Sequence, residues 1–151
     1  MGPSYSAKQY DNNSPIYQQI MDRIRREIVA GDWRAGERVP PVRDLALAFG
    51  VNPNTMQRSL AELEREGLLY SERTAGRFIT ADAARIARVR EEMARRLAAE
   101  FLRQMAGMGC SAAEVRRLLE QAAVQTPLPD GAGAAQGEKE ERETAEGGQP
   151  V

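Results

Sequence analysis

Two short amphipathic segments that meet at Gly50 constrain the fold of this chain more than any other feature of its sequence. Residues 42–49 form the first segment, which stops at Gly50. The second segment opens at Asn52-Pro53, a helix N-cap followed by proline at the first helical position, and continues through residue 66. Two short helices separated only by Gly50 and Val51 form a helix-turn-helix unit.

Patterned segments on both sides of this unit complete a small domain. Ser14-Pro15 predicts a helix start with serine as the N-cap, and the apolar stripe that follows ends at Gly31. Residues 68–72 and 77–80 are short and bracket a turn, which predicts a two-stranded hairpin. Residues 14–80 are therefore predicted to form a mainly α winged helix-turn-helix domain, with three helices and a two-stranded β-hairpin as the wing.

Two further helices are predicted in residues 81–125. The longer begins at Asp82 and carries apolar residues at spacings of three and four, and the shorter follows a capping box at Ser111 and Glu114. We expect the apolar stripe to form a dimer interface, with packing back onto its own domain as the alternative. The expected interface residues are Ile86, Val89, Met93, Leu97, Phe101, Met105 and Leu118.

Charge is distributed unevenly along the chain. The net charge is −1, which by itself argues against a nucleic-acid partner. However, no acidic residue lies between Asp44 and Glu62, and several acids are concentrated beyond residue 126. We predict that residues 1–13 are a flexible arm and that residues 126–151 are a disordered acidic tail, because neither has enough apolar mass to form a core.

The acid-free window contains the residues that we expect to read DNA bases. On a helix from residue 53, Asn54 and Arg58 lie four apart on the face opposite the apolar side chains, with Thr55 and Gln57 beside them. Asn and Gln pair with adenine, Arg with guanine, and a threonine methyl contacts thymine. The alternative is an ordinary solvated helix face, which the acid-free window and the following hairpin make the weaker interpretation.

Other candidate DNA contacts flank this helix. Arg43, Arg73 and Arg77 are placed to clamp phosphates, and Gly76 allows the hairpin tip to approach the DNA closely. Asn52 is a further candidate, although a plain helix cap is its stronger interpretation.

Several functions are disfavoured by residues that the chain lacks. With no histidine and a single cysteine, Cys110, neither a structural zinc site nor a histidine-assisted nucleophile can be assembled. We expect no catalytic activity, no cofactor and no metal. The sequence shows neither a secretory signal nor an apolar run of the roughly 18–20 residues that cross a bilayer, so we expect no membrane contact and a cytoplasmic location.

Residues 14–80 resemble the N-terminal DNA-binding domain of GntR-family bacterial regulators. The matching pieces include Pro15-Ile16-Tyr17, Val42 to Ala46, Val51 to Thr55, Glu66-Gly67-Leu68, and Gly76 with Phe78-Ile79. The short helical segment that follows resembles the YtrA subfamily, whose C-terminal region is reduced. The resemblance implies a homodimer formed through the C-terminal helices, a palindromic operator, and control of its own operon together with a transporter.

Four positions depart from the family pattern. Pro41 replaces a serine that usually caps the second helix, although Arg43 still matches a DNA-contacting arginine of the family. Pro53 and Gln57 replace arginines that many members carry in the recognition helix, so their operator sequence is not expected to transfer. Thr74 stands where many members have glycine at the wing tip.

These observations lead to one main hypothesis and two rivals, of which an enzyme is disfavoured because no nucleophile, metal set or cofactor loop appears. The main hypothesis is a dimeric regulator, a repressor by expectation, that binds double-stranded DNA at a palindromic operator. The other rival is a winged-helix adaptor that binds proteins rather than specific DNA. Whether a small-molecule effector exists is left open by the residues.

Overall fold

The computed structural model describes residues 10–129, and within them it contains five helices and one two-stranded sheet. In chain order these are α1 (Ile16–Ala30), α2 (Val42–Phe49), α3 (Pro53–Arg65), β1 (Leu69–Glu72), β2 (Gly76–Ile79), α4 (Ala83–Gly107) and α5 (Ala112–Gln125). The predicted fold class, three helices and a hairpin followed by two helices, is confirmed.

The start of α1 differs from the prediction. Pro15, not Ser14, is the N-cap residue, and no side chain caps the helix. The Pro15 carbonyl accepts the first backbone hydrogen bonds, and the Gln19 side-chain amide donates to the Ser14 carbonyl at 2.8 Å. The prediction of Ser14 as the cap is therefore wrong, because its hydroxyl lies one residue too early and a glutamine of the helix itself holds the preceding chain.

Residues 10–13, the described part of the predicted arm, make contacts that the sequence did not suggest, while the flexibility of the arm stays a prediction. The Tyr10 hydroxyl donates to the Phe49 carbonyl at 2.7 Å, and the Asp11 backbone N–H donates to the Gln19 side-chain oxygen at 3.0 Å. Burial raises the pKa of Tyr10. The Tyr10 ring also packs against the apolar core.

One apolar core lies between the first three helices and the hairpin. Its side chains are at most 6% exposed, and each large one contributes roughly 1.5–3 kcal/mol on burial. The spacing of four along α1 brings Ile20, Ile24 and Ile28 to one face. The core holds α3 by one side only, through Met56, Ser59, Leu60 and Leu63.

The hairpin is supported by a neighbouring loop that the sequence pattern did not reveal. Strands β1 and β2 are antiparallel, with Leu69 opposite Ile79 and Glu72 opposite Gly76. Residues 36–39 run beside β2, where the Val39 N–H donates to the Arg77 carbonyl at 2.8 Å. Arg38 forms an isolated bridge to Phe78. These bonds give the wing a third extended segment, which an isolated hairpin lacks.

The chain divides into two compact units within α4, one ending at Glu100 and the other starting at Phe101. In the second unit α5 begins with the predicted capping box, in which Ser111 and Glu114 exchange hydrogen bonds. Residues 1–9 and 130–151, which include the rest of the predicted arm and nearly all of the acidic tail, lie outside the described residues. Between residues 10 and 129, no helix combines the length and apolar character needed to cross a membrane.

Candidate nucleic-acid interface

The two faces of α3 differ as the spacing predicts. Met56, Leu60 and Leu63 are buried, whereas Asn54, Gln57 and Arg58 are exposed and Thr55 is partly exposed. Ser59 is the buried polar residue of the helix, and its hydroxyl is satisfied by the carbonyls of Thr55 at 2.9 Å and Tyr17 at 3.1 Å. The bond to Tyr17 fastens α3 to α1, so the polar face is displayed by a helix that is fixed on its other side.

Asn52 acts as a helix cap. Its side-chain oxygen accepts a hydrogen bond from the Asn54 backbone N–H at 2.8 Å, and Pro53 occupies the first helical position. The cap interpretation, which the sequence favoured, is confirmed. The cap starts α3 at Pro53 and leaves the Asn54 side chain, one residue later, pointing to solvent.

Arg58 rests on an aromatic ring that sequence reasoning missed. Its guanidinium carbon lies 3.7 Å from the centroid of the Tyr17 ring. Stacking on an aromatic face restricts the side-chain freedom of an arginine while its planar donors stay available for a base or phosphate. Tyr17 sits beside the buried stripe of α1, and only the packing of α1 on α3 brings it under Arg58.

The acidic residues at the C-terminal end of α3 are paired. Glu62 pairs with Arg65 at 3.3 Å, Glu64 pairs with Arg77 at 3.3 Å, and Glu66 forms an ion pair with Arg25 of α1. Pairing reduces the repulsion that these carboxylates would exert on a phosphate backbone. It also leaves the N-terminal half of α3 as the part with a free polar face.

Arg77 has a structural partner. Its side chain is 17% exposed, and its Nε lies 3.3 Å from the Glu64 carboxylate. This ion pair ties the wing to α3 and draws the guanidinium away from solvent. A phosphate contact by Arg77 stays a prediction, and the geometry favours a positioning role.

The wing has a glycine with a positive φ next to its turn, and two exposed arginines lie in the turn and in the segment beside β2. Gly76 has φ of +106°, a conformation that other residues rarely adopt, and a Cβ there would lie 3.4 Å from Nε of Arg38. Arg73 is exposed in the turn, as predicted, and Arg38 is exposed beside it in the chain segment that pairs with β2. Arg38 is a candidate contact that the sequence did not suggest, because its placement depends on the long-range pairing with Phe78.

Arg43 lies exposed in the first turn of α2. No ion pair holds Arg38, Arg43, Arg58 or Arg73 in the part of the chain that the structure describes. Four uncompensated cations on α2, α3 and the wing are suited to phosphate and base contacts. The net charge of the whole chain conceals this local excess.

The predicted dimer-interface residues are found in both units. In the first unit Ile86 and Val89 pack in part against the domain core, Met93 is half-buried and Leu97 is 68% exposed. The alternative of packing onto their own domain is therefore correct for part of the Ile86 and Val89 surface.

The second unit also exposes apolar side chains. Phe101 and Leu118 are 37% and 38% exposed, Met105 is half-buried, and Val115 is the one buried residue of α5. None of the 25 residues of α4 is buried.

Comparison with known proteins agrees with this geometry. Residues 16–79 match the family model described as bacterial regulatory proteins, gntR family. The transcriptional regulator YhcF of Bacillus subtilis is 34% identical over 107 residues, which are 71% of this chain and 88% of that protein. The transcriptional repressor YtrA of the same organism is 36% identical over 72 residues, 48% of this chain and 55% of YtrA.

A solved structure extends the match beyond the DNA-binding domain. A GntR family transcriptional regulator from Listeria monocytogenes aligns with a TM-score of 0.70 and 35% identity, over 74% of this chain and 98% of its own. These relatives are regulators rather than enzymes, in agreement with the prediction of no catalytic activity. The chain therefore belongs to the GntR family of DNA-binding bacterial transcription regulators, and its likeness to YhcF and YtrA supports a place in the YtrA-like subfamily.

Proposed function

We propose that the protein is a homodimeric repressor that places two copies of α3 in successive major grooves of a palindromic operator. The observation that carries this proposal is the outward face of α3, where Asn54, Gln57 and Arg58 are exposed beside uncompensated arginines. These side chains carry the donors and acceptors that distinguish base pairs in the major groove. Residues 54–58 occupy the first two turns of α3, the part of a recognition helix that meets base edges.

The wing and the start of α2 supply the accompanying phosphate contacts in this proposal. Arg43 lies at the N-terminal end of α2, Arg73 lies in the turn of the wing, and Arg38 lies in the segment that pairs with β2. Contacts of this kind fix the register of a protein on the duplex without reading its sequence. Base specificity is then assigned to α3 and general affinity to the flanking arginines.

Dimerisation is supported by the apolar residues that α4, α5 and the turn between them leave exposed. Leu102, Met108 and Leu119 are 53%, 70% and 49% exposed, in addition to the predicted residues Leu97 and Phe101. Isolated chains rarely expose so many large apolar side chains, and such surfaces mark interaction sites. In a homodimer, these side chains are buried against the same residues of the second copy. Two-fold symmetry of the protein then calls for two DNA half-sites about 34–36 Å apart.

Repression is proposed from the relatives, among which YtrA and NagR of Bacillus subtilis are named transcriptional repressors. A dimer bound across a promoter blocks the polymerase by occupying the DNA. We further propose that it acts in the cytoplasm on its own operon and on a neighbouring transporter operon, as the subfamily resemblance implies.

The test is binding to DNA from upstream of its own gene. Footprinting locates the protected palindrome, and fluorescence anisotropy compares that site with a scrambled duplex of equal length and composition at one salt concentration. We expect the matched site to bind at least about 10³-fold more tightly. Equal affinities for the two duplexes would refute specific regulation, and a stable heteromeric protein partner in its place would favour the adaptor.

A further inference from the structure

A cleft of about 310 Å³ lies where the C-terminal end of α3 meets α1 and the first half of α4. Four arginines line it, Arg25, Arg85, Arg88 and Arg96, against two acidic residues, Glu66 and Glu92. The cleft is therefore cationic in a chain whose net charge is −1. All of these residues belong to the first unit.

Two of the arginines are fixed in place around Glu66. Arg25 forms an ion pair with the Glu66 carboxylate, and its side chain is 17% exposed. Arg85 donates from Nη1 to the Glu66 backbone carbonyl at 2.9 Å. Glu66 is also the C-cap residue of α3, so this end of the recognition helix is held by α1 and α4 together.

The other two arginines contribute no polar contact to the fold within the described residues. Arg88 and Arg96 make no ion pair or hydrogen bond within residues 10–129, and each lies four positions from Glu92 on one face of α4. One carboxylate cannot neutralise two guanidinium groups. Val89 and Met93 provide apolar surface between them.

We propose that this cleft binds a small organic polyanion, carrying carboxylate or phosphate groups, as the effector of the regulator. Guanidinium groups match carboxylate and phosphate oxygens with paired donors, and the apolar lining suits a carbon skeleton. The volume lies at the lower end of the roughly 300–1,000 Å³ of small-molecule sites.

The cleft lies at the end of α3, so a bound ligand can affect the helix that contacts DNA. An anion held by Arg88 and Arg96 competes with Glu66 for Arg25, and Glu66 terminates the helix that presents Arg58. This part of the inference rests on the proposed function, since it assigns the ligand a role in operator binding. Binding of the anion itself does not depend on DNA.

The experiment titrates the full chain with citrate and with 3-phosphoglycerate by calorimetry, without DNA and at fixed ionic strength. We expect saturable binding of at least one probe, weakened at least tenfold in R88A/R96A. The matched control is R90A, which removes an exposed arginine of α4 that does not line the cleft, and it should bind within twofold of wild type. Circular dichroism confirms that both variants are folded.

Absence of saturable binding for both probes, or equal binding by R88A/R96A and wild type, would overturn the site. A second measurement compares operator affinity with and without the bound probe. A change of at least threefold in wild type that is lost in R88A/R96A supports the effector role, and an unchanged affinity in wild type overturns that role. Failure of the protein to bind any operator would instead refute the proposed function and leave the calorimetric result standing.

Discussion

Replacing Tyr17 by leucine is expected to weaken operator binding through Arg58 while leaving the domain folded. The Arg58 guanidinium carbon lies 3.7 Å from the Tyr17 ring centroid, and Arg58 itself is exposed. A cation–π contact at such a site is worth about 0.5–1 kcal/mol. Its loss lets the guanidinium explore other rotamers, so we expect operator affinity to fall about two- to fivefold, at about 1.4 kcal/mol per tenfold.

Fluorescence anisotropy with the matched operator measures this effect, and Tyr17→Phe is the control because it keeps the ring. This control variant should bind within twofold of wild type. The bond from Ser59 reaches the backbone carbonyl of residue 17 and persists in both variants. In the double variant Y17L/R58A, the leucine should add almost nothing to the loss caused by Arg58→Ala. Equal losses from Tyr17→Leu in the presence and absence of Arg58 would refute the stacking argument.

Three further predictions concern phosphate binding, the wing and the dimer. Arg43→Ala should weaken binding to matched and scrambled duplexes alike, and the slope of log affinity against log salt concentration should fall by about 0.9 for each phosphate that the protein no longer neutralises. An unchanged slope in a salt titration would contradict a phosphate contact by Arg43. Gly76→Ala should lower the free energy of unfolding in urea by about 1–3 kcal/mol, because alanine is strained at the positive φ of this position. Gly107→Ala, within α4 and with open space around it, should not lower it, and equal effects of the two substitutions would refute backbone strain at position 76. Leu97→Glu should shift the protein towards monomer in sedimentation experiments, because Leu97 is 68% exposed on the proposed interface, whereas Arg90→Ala should not. An unchanged dimer in Leu97→Glu would exclude Leu97 from the interface.

Local signals were sufficient for the helices of the DNA-binding domain. The turn at Gly50 and the cap at Asn52-Pro53 fix where α2 ends and α3 begins, because each depends on residues next to one another in the chain. The face of α3 that points outward followed from the spacing of Met56, Leu60 and Leu63. These features depend little on contacts with residues distant in the chain, and the sequence alone therefore predicts them.

The features that the sequence did not reveal depend on distant pairings. Tyr17 reaches Arg58 only after α1 packs on α3, and Arg38 reaches the wing only after residues 36–39 align with β2. The ion pair of Arg77 with Glu64 is of the same kind. The cap at Ser14 was mispredicted because Pro15 is the N-cap residue and its carbonyl accepts the first helical hydrogen bonds, which leaves Ser14 one residue too early.

Selection of bound duplexes from a randomised operator library shows whether the outward face of α3 reads bases. Wild type and Arg58→Ala are each used to select bound duplexes, and base preference is compared at every position. We expect Arg58→Ala to lose preference at one symmetry-related position in each half-site, with the other positions unchanged. An identical preference profile for the two proteins, or a uniform loss at all positions, would contradict base reading by this face.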